Sequence, residues 1–267
     1  MTGMPALVAP LFVPADRPDR FAKAAASGAD AVIIDLEDAV KPANKESARE
    51  TLAGALPATS VIVRVNAAGT PWHDRDIELI HLLGAVGVML PKAEDPEALA
   101  ALSQRFRGER HLIPLIETAR GVHRATEIAS VPGVTQLAFG PADYRNDIGC
   151  GEDPEAMLLA RSTLVLAARV AGLSPPLDGP CLDFRDPAKT MREARHARTL
   201  GFGGKLCIHP DQISWVTDAF RPTEAEVVWA RRVLGAEDGG GAAGLDGTMI
   251  DAPVVARARW ILDRAGT

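Results

Sequence analysis

The chain has 267 residues, a formal net charge of -6, 47% hydrophobic residues and only 4% aromatic ones. The length suits one (β/α)₈ barrel as well as two small domains. The scattered Lys and Arg form no basic stripe of the kind that neutralises nucleic-acid phosphates. No apolar run reaches the roughly 18 residues that span a bilayer, and no basic n-region with an apolar segment leads the sequence. A cytoplasmic protein with no nucleic-acid or membrane partner is expected. Cys150, Cys181 and Cys207 are widely spaced and form no C-x-x-C pair, which points to buried free thiols rather than a disulfide framework or a zinc site.

In chain order, short β-branched runs alternate with Ala-rich amphipathic stretches, the pattern of parallel strands joined by crossover helices. The runs predict strands over Ala6–Pro14, Ala31–Leu36, Ser60–Asn66, Ala85–Pro91, His111–Glu117, Thr135–Gly140, Ser174–Cys181 and Gly204–His209. Eight parallel strands are what a closed barrel needs. The interval before the seventh run is longer than the roughly 30 residues of a βαβ repeat. Helices are predicted over Arg17–Ser27, with Pro18 at its start and Gly28 closing it, and over Asn44–Ala55 and Glu152–Val170. After the eighth strand come a helix Thr223–Gly235, a Gly-rich hinge Asp238–Gly244, the segment Leu245–Ile250 and a helix Pro253–Ala265. The expected fold is therefore α/β, a (β/α)₈ TIM barrel over residues 1–237, with a C-terminal helical arm, residues 238–267, packing on a neighbouring subunit.

Active sites of such barrels form at the C-terminal ends of the strands, so the polar residues that close each apolar run are the candidates. Glu117 and Asp143 close adjacent predicted strands, and two hard carboxylates completed by water describe a Mg²⁺ site. Arg64 lies between Val63 and Val65 and requires an anion. Asp35 or Glu37 of the next strand can supply it, or a substrate carboxylate held by a bidentate clamp. Lys92 raises a metal-free alternative, a Schiff-base aldolase, which the neighbouring Glu94 and Asp95 oppose by keeping the amine protonated. The loop Gly201–Lys205 permits close backbone approach to a ligand. The absence of a P-loop, a G-x-S-x-G elbow, an H-E-x-x-H pair and a G-x-G-x-x-G after a strand argues against NTPases, serine hydrolases, zinc peptidases and dinucleotide oxidoreductases.

Taken in order, Leu11-Phe12-Val13-Pro14-Ala15, Ile34-Asp35-Leu36-Glu37-Asp38-Ala39-Val40, Val63-Arg64-Val65-Asn66, Leu90-Pro91-Lys92, Ile116-Glu117-Thr118 and Gly140-Pro141-Ala142-Asp143-Tyr144 resemble successive blocks of the HpcH/HpaI aldolase and citrate lyase β-subunit family. So do Ile208-His209-Pro210 after Gly204-Lys205, and Asp246 to Val254 near the C-terminus. The stand-alone citrate lyase β-like and malyl-CoA or citramalyl-CoA lyase members are the nearest in pattern. The resemblance implies Mg²⁺ on Glu117 and Asp143, substrate held by Arg64 and Glu117, and Lys205, Ile208 and His209 on the side of the CoA moiety. It also implies a homo-oligomer, a trimer or hexamer, in which Asp251 of the arm enters an adjacent subunit's site as acid or base; Asp38 is the second candidate for that role. Where many members carry Arg-Ser before the first strand, this chain has Val8-Ala9-Pro10, so a substrate or CoA-phosphate contact is expected to be missing there or supplied from elsewhere.

The expected reaction is Mg²⁺-assisted cleavage of a 3-hydroxyacyl-CoA, such as malyl-, citramalyl- or citryl-CoA, to an acyl-CoA and a 2-oxo acid. A thioesterase that turns the same base on water, a metal aldolase on free 2-oxo acids and a non-catalytic acyl-CoA-binding subunit are the alternatives.

Overall fold

The computed structural model describes residues 7–54, 56–57, 59–83, 87–106, 111–237, 244–245 and 248–266. All eight predicted runs form strands of one parallel sheet: β1 (Leu11–Pro14), β2 (Val32–Asp35), β3 (Val61–Arg64), β4 (Gly87–Leu90), β5 (His111–Ile116), β6 (Gln136–Phe139), β7 (Ser174–Asp178) and β8 (Gly204–Lys205). Each strand pairs with the next in sequence, the order that right-handed crossovers through helices produce. The sheet curls until its ends meet. Lys205 N–H donates to Val8 O at 2.8 Å, Cys207 N–H to Pro10 O at 2.9 Å and Phe12 N–H to Cys207 O at 2.8 Å. The fold is TIM-barrel-like. Gly204 is required at this seam, because a Cβ there would fall onto the backbone of Val8.

Side chains alternate across a strand, and this alternation sorts the chemistry. Ile33, Ile62 and Leu115 belong to one buried apolar cluster with Met89, Leu177 and Leu206, each buried aliphatic side chain being worth about 1.5–3 kcal/mol. Two residues further along the same faces stand Asp35, Arg64 and Glu117. Apolar packing below thus carries charged groups at the C-terminal rim above.

Some boundaries differ from expectation. The predicted helix at 17–27 is a 3₁₀ turn, Pro18–Arg20, followed by a short α-helix, Phe21–Ala25, and the one at 152–170 is a 3₁₀ turn, Pro154–Met157, followed by Leu158–Val170. In both, Pro lacks the N–H that an α-helical interior needs, so it stays in the entry turn. Strand β7 carries Pro175 and Pro176, and the Gln136 side-chain amide supplies a bond to Pro175 O at 2.6 Å, in a stretch where the β6–β7 register shifts.

The chain divides into two compact units, Met1–Ala219 and Phe220–Thr267. The boundary falls ahead of residue 237 because the helix Glu224–Glu237 packs on the helix Ala252–Ala265, Ala230 and Val233 meeting Val255, Ala258 and Ile261 in a separate core. The strands Gly244–Leu245 and Thr248–Met249 pair antiparallel between them. Of the expected hinge, residues 238–243 lie outside the described residues. Among the described residues, no helix is long and apolar enough to cross a membrane. Cys181 and Cys207 are buried and Cys150 half-buried, all three as free thiols.

Candidate active site

Arg64 and Asp35 are direct partners in the β2–β3 ladder, and the side chains meet as a fork. Arg64 Nε and Nη2 donate to Asp35 Oδ1 and Oδ2 at 2.7 and 2.6 Å, while Nη1 lies 3.2 Å from Glu37 Oε2. The guanidinium also rests over the Phe12 ring, 4.8 Å from its centroid, a cation–π contact that sequence reasoning missed. Burial acts to lower the Arg64 pKa, but the charges of Asp35 and Glu37 outweigh it and hold the group above its ordinary value. Glu37 shifts upward, because burial outweighs the attraction of Arg64 and Lys92. Its Oε2 is buried without a hydrogen bond among the described residues. The ion pair foreseen for Arg64 is therefore present.

Glu117 follows β5 and is 2% exposed. Its Oε1 accepts the Lys92 N–H at 2.8 Å. Lys92 presents that N–H from a left-handed backbone conformation, φ 49°, which costs a non-glycine residue on the order of 1 kcal/mol and is retained here at the rim of the site. Burial, reinforced by the charge of Glu37, pushes the Glu117 carboxyl up to about 8 against the opposing hydrogen bond and charge of Lys92. A Cβ on Gly140 would collide with Glu117 Oε2, so the glycine gives that oxygen its place. Asp143 adds to the negative field at Glu117. It is not on a strand end as expected but in the first turn of the helix Pro141–Ile148, because Pro141 fixes φ for a helical N1 position.

Lys92 is held by other carboxylates than its sequence neighbours. Its Nζ is 2.8 Å from Glu37 Oε1 and 3.9 Å from Glu117 Oε1. Asp95 instead caps the helix Pro96–Arg105, accepting the Glu97 N–H, and Glu94 pairs with Arg120 at 3.8 Å. Burial alone would lower the Lys92 pKa, but the Glu37 hydrogen bond and charge raise it above the ordinary lysine value. A protonated amine is no Schiff-base nucleophile, so the geometry disfavours the metal-free alternative.

A cavity of about 1370 Å³ opens at this end of the sheet, bordered by Asp38, Arg64, Glu117, Asp143, Ile208 and His209 among others. Asp38 is exposed. His209 stacks on Phe184 at 5.0 Å, and its Nδ1 accepts the Asp211 N–H at 3.3 Å, a shaping role for the last loop. Gln212 Oε1 accepts the N–H groups of both Ile208 and His209. Lys205 also borders the cavity, yet it is 1% exposed and its Nζ is engaged by Asp178 Oδ2 at 3.0 Å and Glu193 Oε2 at 3.2 Å. Arg161 Nε completes this cluster on Asp178 at 2.9 Å. Burial opposes the charged form of Asp178, but Lys205 and Arg161 prevail and lower its pKa. Asp251 belongs to the second unit, where it caps the helix Ala252–Ala265 by accepting the Val254 N–H at 3.1 Å.

The donor set suits a hard divalent cation. No group of three or more His, Cys, Asp or Glu that could enclose a metal occurs among the described residues. Among the described residues, Glu117 meets a cation only at 3.9 Å, the Lys92 ammonium, and Asp143 forms no ion pair. Two carboxylates completed by waters and substrate oxygens match Mg²⁺, which dehydrates reluctantly.

A TIM-barrel-like α/β protein with two carboxylates and an Arg–Asp fork lining a cavity beyond the C-terminal ends of its strands belongs to the class that performs metal-assisted chemistry on anionic small molecules. Residues 9–210 match the family model described as HpcH/HpaI aldolase/citrate lyase, and the chain belongs to that family. It is 41% identical over 265 residues to a citrate lyase subunit beta-like protein of Mycobacterium tuberculosis, covering 96% of this chain and 94% of the relative. It is 34% identical over 270 residues to a (3S)-malyl-CoA thioesterase of Cereibacter sphaeroides, covering 96% and 93%. The crystal structure of the protein CitE from Mycobacterium tuberculosis in complex with magnesium, acetoacetate and coenzyme A aligns with a TM-score of 0.90 at 40% identity, over 99% of this chain and 100% of that one.

Proposed function

We propose that the protein is a Mg²⁺-dependent carbon–carbon lyase that cleaves a 3-hydroxyacyl-CoA bearing a carboxylate, of the malyl-, citramalyl- or citryl-CoA type, to an acyl-CoA and a 2-oxo acid. The observation that carries this reading is the buried Glu117 carboxyl, which lines one cavity together with Asp143 and the Arg64 fork. The magnesium-, acetoacetate- and CoA-bound relative supports the ligand set. The cavity exceeds the roughly 300–1,000 Å³ of ordinary small-molecule sites, which suits a long thioester.

Glu117 and Asp143 would hold the cation, which when bound supplies Lewis-acid stabilisation of the developing carbonyl. Arg64 binds and orients the substrate carboxylate by replacing part of its contact with Asp35. Lys92 holds Glu117 in place through its N–H and compensates Glu37 through its ammonium. A base must take the proton from the substrate hydroxyl. Asp251 is our first candidate and Asp38 the second. Asp251 is exposed and its cap bond involves Oδ1. In this proposal the C-terminal unit packs on a neighbouring subunit of a homo-oligomer, a trimer or hexamer, and completes its site. Ile208 and His209 border the CoA side, with Lys205 acting from behind as part of the buried ion cluster.

The test is release of 2-oxo acid from malyl-, citramalyl- and citryl-CoA, with Mg²⁺ and with excess EDTA, by the wild type and by Glu117→Ala. Metal-dependent product, lost in the variant, is the expected result. Activity that survives EDTA would refute the metal role. The Cereibacter thioesterase relative favours one second reading: free CoA released without a 2-oxo acid would assign the site to thioester hydrolysis instead.

A further inference from the structure

Behind the Arg64 fork lies a second polar layer that borders no part of the cavity. Lys45 opens the helix Lys45–Gly54 and is 5% exposed. Its Nζ donates to Leu36 O at 2.7 Å, Glu37 O at 2.7 Å and Asn66 Oδ1 at 2.6 Å, so all three ammonium protons are used. Asn66 is equally committed. Its N–H and Nδ2 donate to Asp76 Oδ2 at 2.8 and 2.6 Å, and its carbonyl meets His73 Nδ1 at 2.8 Å. Asp76, fully buried, is fixed from the other side by Arg49 Nη1 at 2.9 Å. The Trp72 ring covers the ammonium, 5.2 Å away.

The position of this knot matters. The β2–β3 ladder ends at the pair Asp35 and Arg64, with one last bond from Leu36 N–H to Arg64 O at 2.9 Å. Beyond it β3 turns to its other neighbour, Val65 N–H donating to Met89 O. The carbonyl of Leu36 would then lack a strand partner in the interior, where an unpaired carbonyl costs about 1–3 kcal/mol, while that of Glu37 accepts the Val40 N–H at 3.0 Å. Lys45 satisfies the first, adds a second donor to the other and ties both to the residue two places past Arg64. Burial lowers the Lys45 pKa, against the opposing charges of Asp35, Asp76, Glu37 and Asp38, so the three hydrogen bonds rather than the charge define its place.

We propose that Lys45 is a positioning residue: it clamps the ends of β2 and β3 together so that the Arg64–Asp35 fork and Glu37 keep their aim at the substrate. For the reaction it serves, this rests on the lyase reading above. Without the clamp the fork still forms but wanders, and misplacement of a binding group by about 1 Å costs on the order of 100-fold in rate. Turnover therefore suffers more than substrate affinity.

The test compares wild type, Lys45→Met and Lys45→Arg as full-length proteins by hydrogen exchange and steady-state kinetics with the thioester that the wild type cleaves. Expected for Lys45→Met are faster amide exchange confined to peptides spanning 35–40 and 64–67, kcat lowered about 10- to 100-fold and KM changed less than about 3-fold. Lys45→Arg keeps the charge and should recover part of both effects. Should the Met variant fail to fold, the Arg variant is read by the same two measures, with smaller changes in the same direction. Unaltered exchange in those peptides, or faster exchange with undiminished kcat, would overturn the proposal. An inactive wild type would count against the lyase reading alone, and exchange would still decide whether Lys45 holds the strand ends.

Discussion

Replacing Glu117 by Gln should change how stability depends on pH, and the direction follows from where its proton binds. In the metal-free protein the carboxyl titrates at about 8, against 4.5 for an unperturbed Glu. The folded state therefore holds this proton more tightly than the unfolded chain. The resulting stabilisation is complete below about pH 4.5 and is lost as pH rises through about 8. At about 1.4 kcal/mol for each pH unit in that interval, the loss is on the order of 3–5 kcal/mol. Gln has the same shape, stays neutral, and still accepts the Lys92 N–H through its carbonyl oxygen. Urea unfolding in EDTA at pH 5, 7 and 9 measures the effect as the difference between the two proteins, in which the other titrations largely cancel. The wild type should fall relative to Glu117→Gln as pH rises. Mg²⁺ at about 100 times its Kd should then return roughly 2.7 kcal/mol to the wild type at pH 9 and little to the variant. A difference that does not vary with pH would refute the strained buried carboxylate, and equal Mg²⁺ stabilisation of both proteins would remove Glu117 from the metal set.

Gly140→Ala places a methyl against Glu117 Oε2 and should weaken Mg²⁺ binding at least about 10-fold by calorimetry, at a misplacement cost of the kind that catalytic geometry commonly shows; unchanged affinity would mean the carboxylate has room to move. Lys205→Met leaves buried Asp178 with Arg161 alone and should cost about 3–5 kcal/mol in urea unfolding, partly recovered when Asp178→Asn is added. Asp251→Asn keeps a competent helix cap, so the melting temperature should hold while kcat falls about 100-fold or more. Mixing that variant with Arg64→Ala subunits should restore a fraction of the activity, whereas no recovery would place Asp251 in its own subunit's chemistry or outside it.

The strands were legible because parallel strands buried on both faces read as near-continuous β-branched runs, as in Val32-Ile33-Ile34 and Val61-Ile62-Val63. Their closing polar residues were legible for the same reason, since a charge after such a run must reach the rim. Asp143 follows a strand in sequence but not in structure: a Pro directly after Gly140 marks a helix start, which puts Asp143 in the first turn of Pro141–Ile148. Lys92 shows a deeper limit. Glu94 and Asp95 are near it in sequence but turn to other partners, and the carboxylates that do hold it, Glu37 and Glu117, come from the ends of β2 and β5. Barrel curvature brings those ends together, and no local pattern encodes it. The contacts of Asn66 with Lys45 and Asp76 are hidden in the same way, because the three residues lie 21 and 10 positions apart and meet only once the helices pack on the strand ends. The extent of the second unit escaped because Glu224–Glu237 and Ala252–Ala265 reveal their common core only when their apolar stripes are paired.

The seam between Val8–Phe12 and Lys205–Cys207 also sets the order in which the molecule can be made. Its two sides lie near opposite ends of the first unit, so during synthesis β1 emerges early and finds β2 but has no second neighbour. At roughly 5–20 residues per second, that unpaired edge persists for about 10–40 s before its mate leaves the ribosome. An open parallel edge of this kind is a template for other chains, and the site's own geometry is complete only when the last contact of the unit forms. Slow translation of the second half therefore lengthens the aggregation-prone interval without delaying any earlier step, and chaperone dependence should track the codons of residues 36 to 207 rather than those of the C-terminal helices.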